Sequence, residues 1–174
     1  METERLYLYP LDAELLWTLR KDADGLCSRL GIRLGEPYGF FEQRRRHKVY
    51  SAKLAVMRDH PRSWLLATTW LIVPKDTMTV VGEAGFKGPP NLGEIEVGYG
   101  LKKSARNLGY MTETVTLLCR VAAAQQEYTV KTVMAKTLPG NVPSHRVLEK
   151  NGFARDGVIG KHWRWLKRLD EAEP

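Results

Sequence analysis

The chain has 174 residues, 43% of them hydrophobic and 27% charged, the balance of a folded globular protein rather than a disordered or fibrous one. No apolar run approaches the roughly 20 residues a membrane helix needs, and the opening METERLYLYP has no apolar signal core, so a cytoplasmic protein is expected. The net charge of +7 points to an anionic partner, nucleic acid or a polyanionic cosubstrate, without choosing between them. Cys27 and Cys119 lie outside any CxxC pattern, and His47, His60, His145 and His162 lack ligand spacing, so neither a disulfide framework nor a metal site is expected.

Arg5 to Tyr9 alternates as a strand, which Pro10 ends. Asp12 is placed to cap a helix carrying Leu15, Leu16 and Leu19, punctuated from Asp22 to Gly25 and again at Gly31 and Gly35. A second helix is predicted from Phe40 to Asp59, with Phe41, Val49, Leu54 and Val56 as its apolar face and Arg44-Arg45-Arg46-His47-Lys48 as a solvated one. After His60-Pro61, two β-rich runs follow, Ser63 to Val73 and Met78 to Phe86, which the turn Pro74 to Thr77 joins as an antiparallel hairpin. Gly93 to Leu101 is the next strand, and Met111 to Glu127 is a helix with Val115, Leu118, Val121 and Ala122 at helical spacing. Val130 to Thr137 reads as a strand. Asn141 opens a helix with Pro143 early, and Asn151-Gly152 closes it. Ala154 to Ile159 and His162 to Leu169 are two last short strands. The order β-αα-βββ-α-β-α-ββ describes one domain over residues 1–174, a mixed α/β sheet with an antiparallel meander in its middle.

Between the strand ending at Leu101 and the helix starting at Met111 lies a short basic turn, Lys102, Lys103 and Arg106, closed by Gly109. A strand, a small basic turn and a helix start bring backbone N–H groups and the positive end of a helix dipole to one place, which suits a diphosphate. A P-loop enzyme is excluded by the absence of G-x-x-x-x-G-K-(S/T), and Gly98-x-Gly100 is not followed by the third glycine of a dinucleotide fold.

Three segments then resemble the GNAT superfamily of acyl-CoA-dependent N-acyltransferases. Arg106-Asn-Leu-Gly109-Tyr-Met-Thr-Glu113 is similar to the family's (Gln/Arg)-x-x-Gly-x-(Gly/Ala) acetyl-CoA loop, and Glu96-Val-Gly-Tyr99 to the strand that enters it. Asn141-Val-Pro-Ser144-His-Arg-Val-Leu-Glu-Lys-Asn-Gly152-Phe153 is similar to its N-x-x-S-x-x-(V)-(L)-E-K-x-G-F signature, and Arg5 to Leu11 resembles the branch that acetylates ribosomal-protein N-termini. The resemblance implies acetyl-CoA as cosubstrate and a primary amine as acceptor, a protein N-terminus or a small molecule. It implies that the amides of Arg106, Asn107, Leu108, Gly109, Tyr110 and Met111 hold the diphosphate, with the Arg106 guanidinium adding a charged contact. It also implies that Tyr99, Gly100 and Leu101 pair with the pantetheine arm, that Asn141 contacts that arm, and that Ser144 serves the departing thiolate. Met111 stands where Gly or Ala is usual, and its bulk is expected to narrow the approach to the cosubstrate.

An amine must be neutral to attack. Glu96 is the favoured base, acting through water, with Glu94 on the same strand face and Glu83 on the neighbouring strand. A cluster of these carboxylates is expected to raise one pKa towards neutrality, and the same groups can instead attract a cationic amine. Other readings stay open. The charge, Arg44 to Lys48 and the alternating Lys161-His-Trp-Arg-Trp-Leu-Lys-Arg168 fit a nucleic-acid-binding module, and a catalytically weak CoA-binding interaction protein of the same fold is a third. Neither the acceptor nor the donor chain length is encoded in a motif, and a homodimer is compatible with all of these readings.

Overall fold

The structure is a computed structural model and describes residues 1–36 and 40–169. In chain order the elements are β1 (Leu6–Pro10), α1 (Ala13–Lys21), α2 (Ala23–Arg29), α3 (Phe40–Asp59), β2 (Trp70–Pro74), β3 (Gly82–Phe86), β4 (Glu94–Leu101), α4 (Tyr110–Ala123), β5 (Thr132–Thr137), α5 (Val142–Lys150), β6 (Ala154–Ile159) and β7 (His162–Arg168). The strands form one seven-stranded sheet in the order β1-β2-β3-β4-β5-β7-β6. Every pairing is antiparallel except β4 with β5, which is parallel. The mixed sheet with a central meander is the one the sequence implies.

Period-two alternation divides the core between the two faces of this sheet. On one face Leu6, Leu8, Trp70, Ile72, Phe86, Ile95, Val97 and Val133 pack against Val115 and Leu118 of α4 and Leu148 of α5. On the other, Leu71 and Val73 pack against Leu16 and Leu19 of α1, Leu26 of α2, and Tyr50 and Met57 of α3. Glu83, Glu94 and Glu96 alternate with first-face residues and so belong to the second face, where Glu83 meets Tyr50 and Arg46 of α3.

Four expectations about elements are corrected. The first predicted helix is two, because Asp22 serves both ends: its N–H caps Thr18 O at 2.7 Å, and its carboxylate accepts from Gly25 N at 2.9 Å to start α2. Ser63 to Leu66 is not strand but part of a 3₁₀ turn, Pro61–Leu66, begun by a proline whose fixed φ suits a helical first residue. Ala67 and Thr68 do not extend β2 either, because their carbonyls are taken by the Lys53 ammonium. Met78 to Val81 lies outside β3: Arg33 pairs with Met78 to Val80 instead, through Arg33 N to Met78 O and Val80 N to Arg33 O, both 2.8 Å. Helix α4 ends at Ala123, short of Glu127.

The apolar face of α3 also differs. Val49 is 44% exposed, while Tyr50 and Met57 are buried and Arg46, Lys53, Leu54 and Val56 are half-buried. Residues 46, 50, 53 and 57 fall on one stripe at helical spacing, so the inward stripe of this helix carries two cations. Arg46 is therefore not part of a solvated face. Phe41, also expected to face inward, lies outside the described side chains.

Candidate active site

Strands β4 and β5 pair at three positions: Glu94 with Thr132, Ile95 with Val133 and Glu96 with Met134. Beyond Glu96 the two diverge. β4 stays paired with β3 as far as Leu101, and β5 stays paired with β7 as far as Thr137. The edge of Val97 to Leu101 that faces β5 thus borders a wedge-shaped gap inside the sheet, where an extended ligand can take up backbone hydrogen bonds. Tyr99, Gly100 and Leu101, expected to pair with a pantetheine arm, all lie on this limb.

At the open end of the limb, a one-turn 3₁₀ segment (Lys103–Ala105) leads through Asn107, in the left-handed region with φ +65°, to Gly109 with φ +82°. Gly109 is the N-cap residue of α4 and offers no side-chain cap. Among the described residues, none accepts from the backbone N–H groups of Asn107 to Thr112. Six successive donors at a helix N-terminus are of the kind that can take an anion. The Arg106 guanidinium lies at the surface, with Nε 3.4 Å from Leu101 O. Met111 is corrected: its side chain is 5% exposed and sits in the core with Val115 and Leu118, so only its backbone faces the loop and its bulk does not narrow the approach.

Helix α5 forms the other rim. Asn141 caps it, its Oδ1 accepting from Ser144 N at 3.4 Å. The Tyr99 hydroxyl reaches across the gap to donate to Ser144 O at 3.4 Å, which brings these two candidate residues together. Burial pushes the Tyr99 phenol up to about 12, against the smaller opposite effect of the Ser144 hydrogen bond, so it stays protonated at neutral pH. The α5 turn is further fixed by His145, stacked on Trp163 at 4.7 Å between ring centroids, with Nε2 3.1 Å from Leu138 O. Trp165 is 4% exposed and donates to Thr137 Oγ1 at 2.9 Å, so the terminal tryptophans pack on α5 and β5.

The expected carboxylate cluster does not form. Glu83 stands opposite Gly100, four residues beyond Glu96, which is about 13 Å along the strands. Each acid has its own cation. Glu83 accepts from the Tyr50 hydroxyl at 2.6 Å and pairs with Arg46. Glu94 pairs with Arg164, which also holds Asp156. Glu96, at the foot of the gap, pairs with Lys87 and, at 2.9 Å, with Lys136. Burial alone would raise its pKa, but the hydrogen bonds and charges of the two lysines outweigh it and hold the carboxyl below its ordinary value. Proximity of like charges therefore does not set its acidity; the lysines do.

Several of these residues carry no motif. Lys136 and Arg164 stand opposite one another on β5 and β7 and become visible only with the register. Arg46, Tyr50 and Lys53 had a signal, their helical spacing, hidden because charged residues are ordinarily assigned to the outer face. Lys53 donates to Ala67 O at 3.3 Å and to Thr68 O and Phe86 O at 2.6 Å each, tying α3 to β3 and to the chain entering β2. Burial, with a smaller contribution from the Lys87 charge, draws its pKa down to about 8.

A sheet opened along one parallel pair, with unpaired helix-start amides beyond one limb and a capped helix beyond the other, is the build of an acetyl-CoA-dependent acyltransferase. Residues 5–154 match the Acetyltransferase (GNAT) domain model, and the chain belongs to that family. It is 29% identical over 170 residues to the uncharacterized N-acetyltransferase YjdG of Bacillus subtilis (strain 168), covering 95% of this chain and 96% of that protein. Among solved structures, the ribosomal-protein-S5-alanine acetyltransferase of Vibrio fischeri superposes with a TM-score of 0.64 at 18% identity, over 100% of this chain and 98% of that one. RimJ of Mycobacterium smegmatis, in complex with CoA-disulfide, gives a TM-score of 0.64 at 18% identity, over 97% of this chain and 84% of that one. At these identities the structural likeness is one of fold.

Proposed function

We propose that this protein moves an acetyl group from acetyl-CoA to a primary amine by direct attack in a ternary complex, and that the amine is an α-amine rather than a lysine side chain. The observation that carries the reading is the gap beside Val97 to Leu101, ending in the six amides of Asn107 to Thr112, which have no acceptor among the described residues. In this reading the diphosphate lies on those amides, with Arg106 at its side. The pantetheine arm pairs with Tyr99, Gly100 and Leu101 and passes Asn141 on the opposite rim. A main-chain N–H of this limb donates to the thioester oxygen as negative charge grows on it.

Glu96 lies at the foot of the gap on the face opposite α4 and α5, and in this reading the amine approaches from that face. Its nitrogen bonds to the carbonyl carbon, the carbon–sulfur bond breaks, and the amine proton passes through water to Glu96. Ser144 relays a proton from solvent water to the departing thiolate, and Glu96 returns the amine proton to solvent, so that CoA leaves as the thiol. A carboxylate held ionised by two lysines is a weak base, which selects for an acceptor that needs little help. At pH 7 an α-amine of pKa near 8 loses its proton at a cost of about 1 kcal/mol, against roughly 4.6 kcal/mol for a free lysine. A protein N-terminus or a small α-amino compound in the cytoplasm fits this description. Similarity to YjdG, an N-acetyltransferase by name, supports transfer to an amine.

The test has two stages. Acetyl-CoA at 100 times its Kd should stabilise the protein by about 2.7 kcal/mol in thermal melts, and no shift with any acyl-CoA would overturn the reading. Thiol release should then be faster with N-terminal peptides or amino acids than with lysine side chains or polyamines. A thermal shift without thiol release would leave a CoA-binding protein only.

A further inference from the structure

Arg5, just before β1, lies more than a hundred residues from the loop at the start of α4, yet its guanidinium touches that loop at several points. Nη1 donates to Leu108 O at 2.9 Å, and Nε donates to Glu113 Oε1 at 2.6 Å. Its Cζ lies 5.2 Å from the centroid of the Tyr110 ring, and Nη2 lies 2.9 Å from where a Cβ on Gly109 would stand. The Thr3 hydroxyl completes the arrangement, donating to Glu113 Oε2 at 2.7 Å. These contacts have no part in the acetyl transfer described above, and the family resemblance gives Arg5 no role.

With the acyl-CoA reading as its basis, we propose that Arg5 is a positioning residue for the diphosphate: it sets the direction of the loop amides and cancels a charge that would repel the ligand. The first effect follows from peptide planarity. In a trans peptide the C=O of Leu108 and the N–H of Gly109 share a plane and point in opposite directions. Holding Leu108 O on Arg5 turns the Gly109 N–H away from Arg5, on to the other side of the loop. Gly109, free of a Cβ, lets the guanidinium lie against the backbone while the residue keeps its positive φ. The second effect concerns Glu113. An acid in the first turn favours the helix, but here it sits beside the amides that are to take an anion. The planar, two-pronged Arg5 contact answers it while serving Leu108 at the same time, which the single nitrogen of a lysine does not.

The test compares donors of different length. Dissociation constants for acetyl-CoA and for S-acetylpantetheine, which lacks the diphosphate and nucleotide, are measured by calorimetry for the wild-type protein, Arg5→Met and Arg5→Lys. Arg5→Met is expected to weaken acetyl-CoA roughly tenfold, the size of one hydrogen bond to a charged group, and to leave S-acetylpantetheine unchanged. Arg5→Lys retains a cation beside Glu113, which protects folding, and is expected to fall between the two. Equal weakening of both donors by either variant would mean a structural role only and would overturn the proposal, as would unchanged acetyl-CoA affinity in both variants. A wild-type protein that binds neither donor would remove the acyl-CoA reading itself and this inference with it.

Discussion

The proposed mechanism gives Glu96 and Gly109 separate tasks, base and diphosphate turn, and the division can be measured. Glu96→Gln is expected to leave the acetyl-CoA dissociation constant within about twofold and to lower turnover by ~10²-fold or more, the scale of a lost general base. Gly109→Val places a branched side chain at φ +82°, facing Arg5, and is expected to weaken acetyl-CoA binding with no comparable effect on the bound complex. Equal loss of affinity in both variants would show that the roles are not separate. The lysines beside Glu96 supply a pH test. They hold its pKa down, so Lys136→Met should move the acid limb of kcat/KM to higher pH. The same pairing contributes to stability. Since the folded pKa is the lower one, that contribution is present above the carboxyl's ordinary value of 4.5 and fades as pH falls through the folded value. Acid melts of Lys136→Met should show a weaker dependence, Lys87 retaining the rest.

Helix α3 shows how a cation can form part of a core. Lys53 is held by three carbonyls, and no carboxylate among the described residues pairs with it. It titrates near 8 instead of its ordinary 10.5, so between those values the unfolded chain binds more protons and the fold gains stability from this group as pH rises. Lys53→Met should flatten that slope in thermal melts taken from pH 7.5 to 10.5. At the start of α4, Met111→Ala, which restores a residue common in the family, is expected to cost about 2–5 kcal/mol of stability as a core truncation. It should bring no gain in acetyl-CoA affinity. These two helices also show where the sequence was readable. α4 and α5 were placed by apolar spacing and by local caps, both of which depend on neighbours in the chain. The inner stripe of α3 and the pairing of Met78 to Val80 with Arg33 depend on distant partners. A cation on an inward stripe looks solvated until the carbonyls that receive it are known.

Across the whole sheet, the motifs located the loop and both rims of the gap because each is carried by short contiguous segments. The charge pairs that fix Glu83, Glu94 and Glu96 were beyond reach. Whether three acids form a cluster depends on register, and a shift of four residues along a strand separates Glu83 from Glu96. The global arrangement also makes a prediction. Acetyl-CoA should slow amide hydrogen exchange at Tyr99 to Leu101 and at Asn107 to Thr112. The exposed outer strand β6 should be unaffected. Uniform protection across the chain would point to general stabilisation instead of a filled gap.

The divergence of β4 from β5 has one more consequence. Most sheets have two edges; this one has four, because each limb of the gap is an edge inside the sheet. Sheet edges are templates for foreign strands, and proteins ordinarily blunt them with charge, proline or a cover. Here Val97, Gly98, Tyr99 and Gly100 offer no charge and no proline, so nothing in the strand itself discourages a misplaced segment from another molecule. In the proposed reading the cosubstrate is also the cover. A preparation stripped of CoA should form aggregates sooner than one kept saturated with it, at equal protein concentration and below the melting temperature. Light scattering on the two samples would show whether the ligand protects the sheet as well as reacting on it.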